Sequence, residues 1–229
     1  MKKITIAIDG HASTGKSSLA KKIAMKFNYI HVNSGSMYRA VTYFILKNDL
    51  QNLVESNINK LIKRLQNKPI EFKFNNNSNV YEIYLNNINI EEKLNDLKVS
   101  DYVSKVAAIP EIRKELVKIQ REIDRSNGVV MDGRDIGSVV FPDADLKLFL
   151  TASAEVRAKR RYSEMVNSGV NVKYFDVLEN LKKRDKLDST RKDSPLIIVK
   201  DAILIDNSRL TIDDQIQYIS KLVRLKQNI

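Results

Sequence analysis

Two glycines five residues apart, followed at once by lysine and serine, make GHASTGKS at residues 10–17 the stretch that most restricts how this chain can fold. The spacing is that of G-x-x-x-x-G-K-[ST], a phosphate-cradling loop that works only between a strand and the first turn of a helix. Both flanks meet that demand. The apolar run ITIAID precedes the loop, and residues 16–27 carry Leu19, Ile23 and Phe27 on one helical stripe. Gly10 and Gly15 permit backbone geometry and close approaches that a β-carbon would obstruct, so successive N–H groups can turn toward phosphate oxygens. The helix start adds its positive end. Lys16 is placed to reach the β and γ phosphates, and the Ser17 hydroxyl to join the shell of a Mg²⁺ ion. Gly10, His11, Ala12, Ser13, Thr14, Gly15, Lys16, Ser17 and Ser18 are therefore the expected triphosphate site. The His11 side chain is expected to face solvent, because such a loop acts through its backbone.

The remaining chain alternates strand and helix patterns. Residues 3–9 and 29–32 read as strands, 36–47 as a helix, and an Asn-rich polar passage follows. Between residues 70 and 90, EFKF, VYEIYL and INI alternate apolar and polar positions between the turns NNNSN and NN, which predicts a small inserted antiparallel sheet. Residues 94–124 are helical, with Pro110 opening a second helix. GVVMDG and DLKLFLTA read as buried strands, 153–167 and 177–186 as helices, and AILID as the last strand. A final helix from Ile212 presents Ile212, Ile216, Ile219 and Val223 on one side, with Thr211 and Asp214 as a capping pair. Alternation without repeats predicts an α/β P-loop fold, three layers with a central parallel sheet between helices. Ligands gather at the carboxyl ends of such strands.

Composition narrows the chemistry. A chain of 229 residues with 43% hydrophobic content can bury a core for one domain carrying an inserted subdomain. The absence of cysteine excludes disulfides and thiolate metal sites, and two histidines leave little for zinc. With no apolar run of membrane-spanning length, a cytoplasmic location without a membrane partner is expected. The net charge of +11 calls for an anionic partner, and residues 157–192 hold eleven Lys or Arg against five Asp or Glu. A guanine-reading N-K-x-D string is missing, since NKPI at residues 67–70 lacks the acid. A kinase of alcohols would need a carboxylate base, whereas an acceptor that is itself a phosphate arrives ionised and needs arginines. Arginines are where they would be needed. Arg39 lies one turn into the helix after the second strand; Arg134 and Asp135 follow VVM between Gly133 and Gly137; Arg184, Asp188 and Arg191 are spaced to share a helix face, as are Arg157, Arg160 and Arg161.

GHASTGKS, NSGSMYRA, SKVAAIPEIR, DGRDIGSVVFPDADLKLFLTASAEVRAKRR and RDKLDSTRKDSPL, in that order and at these separations, resemble the bacterial-type cytidylate kinases over nearly the whole chain. DGRDIGSVVFPDA is far more specific to that family than the loop. The resemblance implies reversible transfer of the γ-phosphoryl group of ATP, with Mg²⁺, to CMP or dCMP. It implies an acceptor site of Ser34, Arg39, Ser104, Arg113, Arg134, Asp135, Arg184, Asp188 and Arg191. In it Arg39, Arg134 and Arg191 would hold the phosphate, Ser104, Arg113 and Asp135 would read cytosine, and Arg184 and Asp188 would contact the sugar. Arg157 and Arg161, with Arg160 beside them, would belong to a lid over ATP, joining Lys16, Arg134 and Arg191 as catalytic charges. The implied division is a core of residues 1–35, 94–152 and 195–229, a monophosphate-binding subdomain of 36–93 and a lid of 153–194, with Gly169 as its hinge. Asn33 stands where the family commonly carries an acid, and His11 where it carries proline. Cytosine offers an amino donor beside two acceptors, which suits Asp135 or Ser104 with Arg113. The chain is expected to act as a monomer on ATP, CMP and dCMP. A UMP/CMP or adenylate type of kinase is the nearest rival. A nucleic-acid-binding ATPase is the rival from another class, and it would interleave aromatic with basic residues, whereas Tyr162 and Tyr174 stand isolated.

Overall fold

The computed structural model describes residues 2–67, 69–75 and 80–228, and the chain forms two compact units, one of residues 1–29 and 125–229 and one of residues 30–124. In the first unit four strands run parallel in the order β6 (Val129–Gly133), β1 (Thr5–Gly10), β7 (Leu146–Thr151) and β8 (Ala202–Asp206). Ile6 sits opposite Val130 on one side and Leu146 on the other. All six residues of β1 are buried, which explains why ITIAID reads as a continuous apolar run and not an alternating one. Ile6, Ile8, Val130, Leu148 and Leu150 pack with Leu19 and Ile23 of α1 (Lys16–Phe27) and with Ile219 and Val223 of α9 (Ile212–Gln227). The expected cap of α9 is present in full: Thr211 Oγ1 accepts from the Asp214 N–H, and Asp214 Oδ2 accepts from the Thr211 N–H.

Helices α7 (Ala154–Asn167) and α8 (Tyr174–Thr190) pack on each other through Ala158, Val177, Leu178 and Leu181. Gly169, at φ +78°, ends α7 in a Schellman turn, with the Val170 N–H on the Met165 carbonyl and the Gly169 N–H on the Val166 carbonyl. Helix α8 is longer than its apolar pattern predicts. Arg184 and Asp188 both lie on it, and Arg191 is its extended C-cap.

In the second unit β2 (Ile30–Asn33) runs parallel to β4 (Val80–Leu85), which pairs antiparallel with β3 (Ile70–Asn75) and β5 (Ile88–Asn89). The NN turn is as predicted, with Asn86 and Asn87 both at positive φ in a two-residue hairpin loop. The NNNSN turn, Asn75 apart, lies outside the described residues. Asn33 caps α2 (Ser34–Lys47) by accepting from the Ser36 N–H at 3.2 Å. Two helices replace the expected Asn-rich polar passage, α3 (Gln51–Ser56) and α4 (Ile58–Gln66), the latter capped by Asn57 and anchored by the fully buried Leu61. Helices α5 (Leu97–Ala107) and α6 (Pro110–Arg121) meet as Pro110 predicts, and both pack on α2. Residues 94–124, read from sequence with the core, share this unit. No helix among the described residues is long and apolar enough to cross a membrane.

The two loop glycines serve different purposes. A β-carbon on Gly10 would stand 2.0 Å from the Leu150 carbonyl oxygen, backbone against backbone, whereas one on Gly15 would meet nothing and suffer only from its φ of +85°. Gly10→Ala is expected to cost about 3 kcal/mol or more, and Gly15→Ala about 1–2 kcal/mol, in urea unfolding. Equal losses would show that backbone conformation, and not contact with β7, decides both.

Candidate active site

Parallel pairing sets Asp9 opposite Gly133 and Gly10 opposite Leu150, so the loop emerges beside the strand end that carries DGRD. Two links follow from this closeness, and a third braces the loop itself. Asp9 Oδ1 and Oδ2 accept from the N–H groups of Ile136 and Gly137, both at 2.8 Å, and so fix the π-type turn Ile136–Val140. Ser17 Oγ donates to Asp132 Oδ2 at 2.6 Å. Lys16 Nζ donates to the His11 carbonyl and, at 3.2 Å, to Thr14 Oγ1. Neither Asp9 nor Asp132 was singled out from sequence. Each is the last acid of an apolar strand, and that position was the available signal.

The burial of these groups sets their charge. Burial holds the Lys16 ammonium well below the ordinary lysine range, and the Arg134 charge pushes the same way against Asp132, Asp9 and Asp188. Burial pushes the Asp9 carboxyl up to about 6; its two N–H donors resist, and the nearby Asp135 adds to the rise.

A second cluster surrounds Asp188. Arg134 Nε donates to Asp188 Oδ2 at 2.8 Å, and Arg191 Nη1 lies 3.9 Å from Oδ1, while Arg191 Nε donates to the Ser194 carbonyl at 2.7 Å. Burial raises the Asp188 carboxyl, but Arg134, Arg184 and Arg191 together outweigh it and hold the group below the usual carboxylate range. Arg134, Arg184, Asp188 and Arg191, expected from sequence at one anion site, are thus brought together. The buried Asp135 follows directly on Arg134.

The α7 arginines diverge. Arg157 is buried and bound in a fork to Asp185, at 3.0 and 2.6 Å. Arg160 donates to the Asn207 side chain and carbonyl and to the Thr14 carbonyl. Arg161 makes a surface pair with Glu164 at 2.9 Å. His11 does not face solvent as expected. Its side chain is only 24% exposed, with Nδ1 3.3 Å from Asp185 Oδ1 and the ring edge-on to Phe149. Asp185 and Asn207 escaped notice because their roles are tertiary. Ser13 lies at φ +59° on the loop, and Ser18 is exposed on the first turn of α1.

In the second unit the expected acceptor residues gather on three helices. Arg39 of α2 donates to Ser100 Oγ of α5 and to the Leu94 carbonyl, both at 2.9 Å. Ser104 lies one turn further along α5, half-buried. Arg113 of α6 is buried, donates to the Ala107 carbonyl and stacks over Tyr38 at 5.4 Å. Ser34 is buried at the start of α2.

The family model described as cytidylate kinase matches residues 6–225. The cytidylate kinase of Flavobacterium psychrophilum is 52% identical over 97% of this chain and 99% of its own. Those of Parabacteroides distasonis and Fusobacterium nucleatum are 46% and 43% identical, over 94% and 97% of this chain and 94% and 98% of theirs.

The raised Asp9 carboxyl has a measurable consequence. A carboxyl whose folded pKa of about 6 exceeds its ordinary 3.8 binds its proton more tightly when folded. Stability from this group is therefore full below about pH 4 and falls by roughly 3 kcal/mol as pH rises to about 6. Asp9→Asn turns an amide toward one of the two N–H donors and is expected to be less stable in acid. Its deficit relative to the parent should then shrink by roughly 3 kcal/mol between about pH 4 and pH 6.5 in urea titrations. A deficit independent of pH would show that Asp9 titrates alike in the folded and unfolded chain.

Proposed function

The chain belongs to the cytidylate kinase family, and from that membership we propose how its own residues carry the transfer of the γ-phosphoryl group from ATP to CMP or dCMP. The products are CDP or dCDP and ADP. The observation that carries the reading is the pairing of a glycine cradle with a guanidinium cluster at one set of strand ends: Lys16 feels the charges of both Arg134 and Asp188.

The donor phosphates belong on residues 10–18. Lys16 gives up the His11 carbonyl and Thr14 hydroxyl for the β and γ phosphates, whose charge restores an ammonium that burial disfavours. The acceptor phosphate belongs on Arg39, Arg134 and Arg191, and its sugar on Arg184 and Asp188. Asp135, Ser104 and Arg113 read cytosine, and Ser34 belongs to the same acceptor site. A site that pairs an amino donor and two acceptors leaves its own polar groups unsatisfied by uracil. Transfer is in-line, without a covalent enzyme intermediate. A phosphate acceptor is already ionised, so no base is required, and the arginines offset the repulsion between two polyanions brought together. Residues 153–194 cover the donor as a lid and keep water, the competing acceptor, away.

The Ser17 and Asp132 oxygens suit Mg²⁺, a hard cation that takes one or two protein oxygens and keeps water and phosphate for the rest. That sparse donor set agrees with the absence, among the described residues, of any larger metal-binding cluster. Held by Ser17 and Asp132, the ion would neutralise charge on the donor phosphates.

ADP release from ATP should depend on CMP or dCMP and be far slower with AMP or without an acceptor; equal consumption with and without a pyrimidine monophosphate would overturn the reading. Lys16→Ala should lose about 10²-fold or more in kcat while remaining folded by circular dichroism. Arg191→Ala should raise KM for CMP by roughly tenfold or more without weakening ATP binding measured alone. Equal loss of both would place this arginine in the donor site.

A further inference from the structure

Arg157 is not poised to meet a substrate. Its Nε donates to the Ala152 carbonyl at 2.9 Å, Nη1 to Asp185 Oδ1 at 3.0 Å and to the Ala12 carbonyl at 3.3 Å, and Nη2 to Asp185 Oδ2 at 2.6 Å. Every nitrogen of the guanidinium is engaged. Asp185 holds both arms of the fork, and its Oδ1 also lies 3.3 Å from His11 Nδ1. One carboxylate on α8 therefore reaches two consecutive residues of the phosphate loop, His11 directly and Ala12 through Arg157. The Ala12 side chain is itself packed among Ala158, Val177, Leu178 and Leu181.

Peptide geometry gives this tether a consequence. In a trans peptide the carbonyl of one residue and the N–H of the next point to opposite sides. A guanidinium on the Ala12 carbonyl therefore turns the Ser13 N–H away from itself. Arg160 Nη1 at 3.4 Å and Asn207 Nδ2 at 2.8 Å do the same for Gly15 through the Thr14 carbonyl. Ser13 and Gly15, at φ +59° and +85°, have the left-handed backbone found in anion-binding nests. Released carbonyls would present oxygen to a phosphate as readily as N–H.

We propose that Asp185 is a positioning residue for the donor phosphate loop, acting through Arg157 and His11 to hold residues 11 and 12 so that the Ser13 amide faces the phosphates of ATP. The inference rests on the reading of residues 10–18 as the ATP site. It changes the part played by Arg157, which orders the loop and does not touch the nucleotide. Asp185 also neutralises a buried guanidinium, which without it would turn to other partners and let the Ala12 carbonyl go.

Equilibrium ATP binding and steady-state kinetics of the full chain test this with three variants. Asp185→Asn keeps the shape but loses the charge, and Arg157→Lys keeps the charge but loses the fork. Each is expected to weaken ATP binding about tenfold, the effect of one charge-assisted contact. His11→Ala, at a partly exposed side chain outside the Arg157 fork, should weaken it roughly threefold. KM for CMP should stay within about twofold of the parent in all three, a split that general loosening would not produce. Unchanged ATP affinity, or equal weakening toward ATP and CMP, overturns the proposal. So does full affinity in Arg157→Lys, since a lone ammonium cannot hold Asp185 and the Ala12 carbonyl in the same geometry. If Asp185→Asn does not fold, the other two decide on the same criteria. The ATP binding measurement contains no acceptor. The predicted losses in a chain that fails to phosphorylate CMP would therefore support the positioning role while removing the functional reading.

Discussion

The position of β1 between β6 and β7 is the constraint from which the first unit's chemistry follows. Parallel strands bring their carboxyl ends to the same edge, and here three consecutive neighbours end in the phosphate loop, in DGRD and at Thr151. The fit is so close that the loop's first glycine is required by the backbone of β7 before any ligand is considered. Asp9 then uses the same edge for a second purpose, supplying acceptors to two N–H groups of the turn after β6 that no strand could satisfy. A carboxylate that stabilises one segment by accepting two hydrogen bonds is thereby buried deeply enough to lose part of its preference for charge.

Clustering cations for two anionic ligands creates a difficulty when no ligand is bound, and the carboxylates relieve it. Arg134, Arg184 and Arg191 all act on Asp188, and Arg157 is neutralised by Asp185. Both acids are held below their usual range despite burial: His11 and the Arg157 guanidinium outweigh desolvation at Asp185, and three guanidiniums outweigh it at Asp188. Part of the positive charge of the segment from 157 to 192 is thus directed inward, toward acids and loop carbonyls.

Much of this was legible in local patterns. The glycine spacing, the strand before it, the Thr211–Asp214 cap, the Asn86–Asn87 turn and the helix opened by Pro110 are each decided by residues within a few positions of one another. The same reasoning missed α3 and α4, although Asn57 followed by Ile58, Leu61, Ile62 and Leu65 is a capped helical stripe, because the abundance of asparagine drew attention to loop formation. Site partners were less accessible. Asp132 with Ser17, Asp9 with the turn at 136–137, and Asp185 with His11 are joined across more than a hundred residues, and only the strand order brings them together. His11 shows the limit plainly: a residue judged by the loop's backbone chemistry alone is taken to be idle, yet its side chain has a partner on another helix.

That contact bears on how the loop and the helix pair α7 and α8 behave. Ala12 belongs to the same apolar cluster as the α7 and α8 residues, and Arg157 and Arg160 hold loop carbonyls from the first half of α7. Tyr162 meets Tyr174 edge-on, and Met165 and Val172 pack on the cluster, so the helix pair is joined to itself as firmly as to the loop. A displacement of α7 and α8 as a body must therefore break contacts to residues 12 and 14, and a loop whose peptides lose their orientation must loosen the base of α7. Order in one is order in the other. By linkage, a donor nucleotide that favours the ordered loop also favours the docked helix pair, and to the same degree the docked pair favours the nucleotide. The glycine that ends α7 lies between two sets of attachments to the loop, those of Arg157 and Arg160 before it and that of Asp185 after it, so bending there would pull one set away from the other.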